Sequence, residues 1–158
     1  MSTLRPTEHP LDGSGRRIGV VASRFNEAIV DRLLDGALTA LARHGVAPGA
    51  VKVVRVPGAW EIPVALESLA RHGRFDGLLA LGAVIRGGTP HFEFVAGECA
   101  RGAMEVSLRH ALPVGFGVLT CDDQAQAEAR AGGALGNKGD EAALAVLEMA
   151  GALERLGD

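Results

Sequence analysis

The hexapeptide Arg86-Gly87-Gly88-Thr89-Pro90-His91 lies between an apolar run and a helical pattern. Thr is a favoured N-cap and Pro a favoured first helical residue, so a helix is expected to open at Thr89-Pro90. Two glycines ahead of it let the main chain approach a bound group closely. Free N–H groups and the positive end of the helix dipole then suit an anion, phosphate above all. Taken alone, Gly-Gly-Thr-Pro is equally a turn. His91 follows in the first helical turn, where the dipole favours a neutral imidazole able to accept and return a proton. On spacing alone it is also an ordinary exposed histidine.

Other chemistry-bearing residues cluster in similar places. The chain has five Phe, one Trp and no Tyr, yet Phe25 and Trp60 both fall in loops that follow apolar runs. Together they could flank a flat heterocycle; singly, each could be a plug over a sheet edge. Glu61, beside Trp60, is either a dipole-matching acid or an acceptor for a polyol. Arg130 and Lys138 flank a glycine-rich loop, as solvated charges or as anion ligands. His9, His44, His72 and His110 are weaker candidates: the first is near the N-terminus and the others stand at helix ends, where a cation is favourable anyway.

Several classes of function lack support. His and Cys show no metal-ligand spacing. No GxGxxG, Walker A or GxSxG pattern occurs. The net charge of −3 and the lack of a basic run with interleaved aromatics argue against nucleic acid. The longest apolar run, GLLALGAVI, is too short to span a bilayer. No signal peptide is visible at the N-terminus. The two cysteines, Cys99 and Cys121, form no CxxC pair and read as free thiols of a reducing cytoplasm.

The elements that must carry these residues alternate. RRIGVVAS (16–23), VKVVRV (51–56), GLLALGAVI (77–85) and PVGFGVL (113–119) read as strands, the first and third nearly continuous in apolar residues. Helical patterns follow each: from Asn26 as cap to Gly45, with Ile29, Leu33, Leu34, Ala37, Leu38 and Leu41 on one face; from Trp60 to His72; from Pro90 to His110; then over 123–131 and 138–156, separated by AGGALGN. This order implies one α/β domain with a parallel sheet and helices on both faces. Ligands of such sheets bind beyond the carboxyl ends of the strands, where SRFN, PGAWE, RGGTPH and TCDD all fall. Residues 1–16, rich in Pro, Gly and charge, read as a flexible N-terminal arm, leaving 17–158 as a single domain.

In this order, RFN, VPGAWEIP, LGAVIRGGTPHFEF, GFGVLT and RAGGALGNKGDEAA resemble the lumazine synthase family over about residues 16–156. The resemblance implies a flavodoxin-like three-layer sandwich, a four-stranded parallel sheet flanked by helices. It implies condensation of 5-amino-6-(D-ribitylamino)uracil with 3,4-dihydroxy-2-butanone 4-phosphate to 6,7-dimethyl-8-ribityllumazine, phosphate and water, the penultimate step of riboflavin biosynthesis. Neither cofactor nor metal is implied. Family members are homopentamers, and some assemble twelve pentamers into an icosahedral 60-mer shell.

By matching position, Phe25 would stack on the pyrimidine. Ala59, Trp60 and Glu61 would line the ribityl-uracil site, and Ala83, Val84 and Ile85 would meet the pyrimidine edge through their backbone. Gly88 and Thr89 would hold the butanone phosphate, and His91 would transfer protons. Phe116 and Arg130 would enter from a neighbouring chain, Arg130 pairing with the phosphate, while Lys138 and Glu141 would be supporting charges. Trp60 stands where Phe is commoner, Gly88 where Glu or Ala is frequent, Phe94 where Tyr is frequent, and Ala134 where shell-forming members carry Lys. A non-catalytic lumazine or flavin carrier, or a shell-forming protein, on the same fold is the alternative; loss of His91 or Arg130 would favour the carrier, and both are present.

Overall fold

The structure, a computed structural model, describes residues 11–158. Four parallel strands, β1 (Ile18–Ser23), β2 (Val51–Val56), β3 (Gly77–Ile85) and β4 (Val114–Cys121), form one sheet in the order β2-β1-β3-β4. All six residues of β1 are buried, as expected of a central strand covered on both faces. On one face Val20, Leu79 and Leu81 meet α1 (Glu27–Arg43) and α5 (Lys138–Leu156). On the other, Val21, Leu78 and Ala80 meet α2 (Ile62–His72) and α3 (His91–His110). This is the three-layer α/β architecture that the alternation implies. β2 lies at an edge, and its Lys52 and Val53 are exposed.

The helices follow their apolar faces. α1 buries Ile29, Val30, Leu33, Ala37, Ala40 and Leu41, the spacing of one helical stripe. α5 crosses it closely because Gly139 leaves room: a Cβ there would overlap the Leu33 carbonyl. Asn137 caps α5, its side-chain oxygen accepting from the Gly139 and Asp140 amides at 2.8 and 3.2 Å.

Four local expectations need revision. β4 runs on through Thr120 and Cys121, because its pairing with β3 continues to Ile85↔Cys121. AGGALGN holds a small antiparallel pair, β5 (Ala131–Gly133) and β6 (Gly136–Asn137), after α4 (Gln124–Ala129). Asn26 stands at the start of α1 but in the left-handed region (φ 59), and its side chain makes no cap bond. α3 opens at His91, one residue later than expected, with Pro90 in the cap position.

The expected arm over 1–16 lies outside the described residues as far as residue 10. From Leu11 onward the chain lies against the body: Leu11 packs on the core, the Gly13 amide donates to the His44 carbonyl at 2.7 Å, and Arg16 pairs with Glu154 at 2.6 Å.

One charge cluster away from the strand ends carries a pH prediction. Glu67 on α2 accepts from His110 (2.8 Å) and Arg109 (2.7 Å) on α3. The His110 hydrogen bond first, then Arg109, holds the Glu67 carboxyl below its ordinary value against the opposing effect of burial. A lowered folded-state pKa adds stability that is present above the unfolded value, about 4.3, and is lost as pH falls through the folded one. Melting curves between about pH 3 and 6 should therefore show the wild type losing stability with acid more steeply than Glu67→Gln. Parallel acid limbs for the two proteins would remove this pair from the α2–α3 contact.

Candidate active site

β1 and β3 are neighbours in the sheet, but their following helices cover opposite faces. Such a switch point opens a crevice at the carboxyl end. There a cavity of about 430 Å³ is lined by Phe25, Gly58, Ala59, Trp60, Glu61, Ala83, Val84, Ile85, Gly87, Thr89, His91, Phe92 and Val95.

Each wall has a local cause. The Arg24 and Phe25 amides continue the β1–β2 ladder by donating to the Val56 and Pro57 carbonyls at 2.8 and 3.0 Å. The backbone under Phe25 is thereby fixed while the residue is 72% exposed, a large apolar side chain held out for a partner. On the next wall, Ala59–Glu61 form a single 3₁₀ turn before α2, with Pro63 in the first turn of that helix, where no N–H is needed. Ala59 is buried as the foot of this turn and Trp60 is 60% exposed. Glu61 is in no ion pair among the described residues, so its carboxylate remains an available acceptor.

Asn26 supplies a tie that local sequence does not announce. Its Nδ2 donates to the Ala83 carbonyl at 3.0 Å, joining the β1 loop to the end of β3 across the crevice. Ala83, Val84 and Ile85 form the cavity floor.

The third wall is the β3–α3 loop. Gly87 and Gly88 have open space where a side chain would stand, and neither has a positive φ. Access, rather than backbone conformation, is what glycine contributes here. Thr89 Oγ1 accepts weakly from the His91 amide at 3.4 Å. His91, the first residue of α3, is exposed and lines the cavity beside Phe92.

The structure thus brings Phe25, Ala59, Trp60, Glu61, Ala83, Val84, Ile85, Thr89 and His91 to one cavity. Gly88 lies in the same loop without lining it, its place taken by Gly87. Gly58, Phe92 and Val95 were absent from the sequence candidates. Val95 could have been found from its spacing, since it stands four residues after His91 and shares its helix face.

Phe116, Arg130, Lys138 and Glu141 do not line their own chain's cavity. Phe116 is on edge strand β4, opposite Ala80, and is 37% exposed. Arg130 ends α4, with Nη1 donating to the Gln126 carbonyl at 2.9 Å, and is in no ion pair among the described residues. It lies close enough to Cys121 to oppose the burial that pushes that thiol's pKa up. Lys138 and Glu141 pair with each other at 3.2 Å in the first turn of α5. Among the described residues no group of three or more His, Cys, Asp or Glu is placed to hold a metal ion, and no helix is long and apolar enough to cross a membrane.

Comparison with known proteins agrees with the motifs. Residues 15–154 match the family model described as 6,7-dimethyl-8-ribityllumazine synthase. The chain is 53% identical over 156 residues to the protein of that name from Desulfovibrio desulfuricans, covering 99% of this chain and 100% of the relative. It is 50% identical over 156 residues, with the same coverage, to the protein of that name from Nitratidesulfovibrio vulgaris. On this match, over nearly its whole length and carrying the motifs that line the cavity, the chain belongs to the 6,7-dimethyl-8-ribityllumazine synthase family.

Proposed function

We propose that this chain condenses 5-amino-6-(D-ribitylamino)uracil with 3,4-dihydroxy-2-butanone 4-phosphate to give 6,7-dimethyl-8-ribityllumazine, phosphate and water. The observation that carries the reading is the convergence of an exposed aromatic pair, an unpaired carboxylate, a strand backbone and His91 on one cavity of about 430 Å³. A flat pyrimidine fits against Phe25, with its edge on the Ala83–Ile85 backbone and its ribityl hydroxyls toward Glu61. The Gly88–Thr89 loop is the place for the phosphate.

The chemistry asks for proton transfer at every step. The substrate amine attacks the ketone and water leaves as an imine forms. Elimination of phosphate leaves a carbonyl on the neighbouring carbon, and the second amine closes the ring on it with loss of a second water. His91 can accept and return each proton in turn. Phosphate leaves as an anion, and a guanidinium favours that loss electrostatically. Holding both substrates together supplies much of the remaining gain.

The guanidinium in this reading is Arg130 of a neighbouring chain, with Phe116 entering beside it. Two features support a shared site: neither residue lines its own chain's cavity, and Arg130 has no carboxylate partner among the described residues. Lys138 and Glu141 stay in supporting roles, since the Lys138 amide donates to the Arg130 carbonyl at 2.9 Å. Self-association also draws support from α3, whose Phe94, Met104 and Leu108 are exposed around the ion-paired Arg101; large apolar side chains held out beside charge suit an interaction face. We read the assembly as a homopentamer; Ala134, where shell-forming members carry Lys, gives the icosahedral shell no support. The cytoplasm is the proposed compartment, on the ground of two buried free thiols.

Steady-state turnover tests the activity. With both substrates, product should appear together with an equal amount of phosphate, and with either substrate alone none should form. Tight binding of the product with no turnover would instead support the carrier on the same fold.

A further inference from the structure

We infer that Arg86 is a positioning residue that fixes His91 by clipping the first turn of α3 to the end of β4. The inference rests on the proposed role of His91 and concerns what holds that side chain in place.

Arg86 is the first residue beyond β3, and its amide donates to the Cys121 carbonyl at 2.8 Å, extending the β3–β4 ladder by one bond. Its guanidinium then reaches two elements at once. Nε donates to Asp122 Oδ1 at 3.1 Å, just past β4, and Nη1 to Glu93 Oε1 at 3.2 Å, in the first turn of α3. Its Cζ lies 4.4 Å from the centroid of the Phe92 ring, within cation–π range. Phe92 and Glu93 are the two residues that follow His91. One planar group with several fixed donors therefore grips both sides of the gap that the loop spans, a task a point charge cannot reproduce.

The loop itself does little to hold α3. Gly87 and Gly88 have no neighbour where a side chain would stand, and residues 86–90 are all exposed. The ties at the helix start are the weak bond from the His91 amide to Thr89 and the bond from the Glu93 amide to the Pro90 carbonyl at 3.0 Å. Both are internal to the loop and first turn, so neither sets that turn's position relative to the sheet. Val95, one turn on, packs α3 onto the core; of the polar ties at the helix start, the one that reaches the end of the sheet is Arg86, through Asp122. A catalytic group displaced by about 1 Å can lose roughly 10²-fold in rate.

A double-mutant cycle in the assembled protein tests this. Arg86→Ala should lower kcat between about 10- and 100-fold, with KM for the ribityl-uracil within about twofold and an unchanged melting temperature. Arg86→Lys, which keeps the charge but lacks the fork, should recover only part. Glu93→Gln, which weakens the α3 arm alone, should lower kcat in the same sense. In the His91→Ala background, Arg86→Ala should cost less than about twofold more, because a residue that acts through His91 has nothing left to position. An equal loss with and without His91 would overturn the inference. The His91 imidazole resonances give a readout independent of turnover: they should move in Arg86→Ala and in Glu93→Gln. Unmoved resonances in both folded variants would also overturn it. Failure of the wild type to turn over would count against the proposed activity and leave the resonance test standing.

Discussion

Replacing His91 with Ala is expected to lower kcat by about 10²-fold, the lower end of the range for general acid–base groups. The lower end applies because His91 is exposed at the cavity wall, where water can relay some of the protons. Its side chain makes no hydrogen bond among the described residues, only its amide doing so, so truncation leaves no buried group orphaned. The protein should fold normally, and dissociation constants for both substrates should change little. Single-turnover kinetics with each substrate saturating separates the chemical step from binding. An unchanged rate in the purified, folded variant would take His91 out of the mechanism.

Arg130→Ala is expected to raise KM for the butanone phosphate by roughly 10- to 100-fold, the equivalent of about 1.5–3 kcal/mol for a hydrogen bond to a charged group. KM for the ribityl-uracil should stay close to wild type, because that substrate carries no phosphate. Arg130→Lys should restore part of the loss, retaining charge without the bidentate fork. Sensitivity to salt should fall in the Ala variant, since a screened charge pair is removed. Equal losses for the two substrates would mean that Arg130 supports the fold, through its bond to the Gln126 carbonyl, rather than the phosphate.

The parts of this fold that were legible in the sequence are those set by local pattern. IGVVAS is apolar without alternation, which only a doubly covered strand tolerates, and it is the fully buried β1. The helical stripe of α1 likewise appears where its spacing puts it. The strand-end rule then places Phe25, Trp60, Glu61 and His91 in loops near one another, without needing the cavity itself.

What was not legible depends on partners distant in sequence. Asn26 has the residue type of a cap, but its amide group is drawn to Ala83, 57 residues away, and its backbone moves to the left-handed region. The extension of β4 through Cys121 follows from its pairing with β3, not from its own composition, which reads there as a turn. The pair β5–β6 is too short for periodicity to reveal. Arg86 looks like a solvated charge until Asp122 and Glu93 are seen on either side of it.

The central claim is that a working site is built around His91 of one chain and Arg130 of the next, and mixed assemblies test it most directly. Chains carrying His91→Ala and chains carrying Arg130→Ala are unfolded together in equal amounts and reassembled, and mixing is verified by native mass measurement. Neither variant alone has an intact site. In a head-to-tail ring each chain lends one face to one neighbour, so a site is restored wherever an unaltered His91 meets an unaltered Arg130. Random mixing makes that a half times a half, and turnover, read at butanone phosphate well below the wild-type KM so that the Arg130→Ala parent is slow, should return to roughly a quarter of wild type, well above either parent. Turnover equal to the average of the two parents, in particles shown to be mixed, would contradict the shared site and place both residues in one chain's pocket.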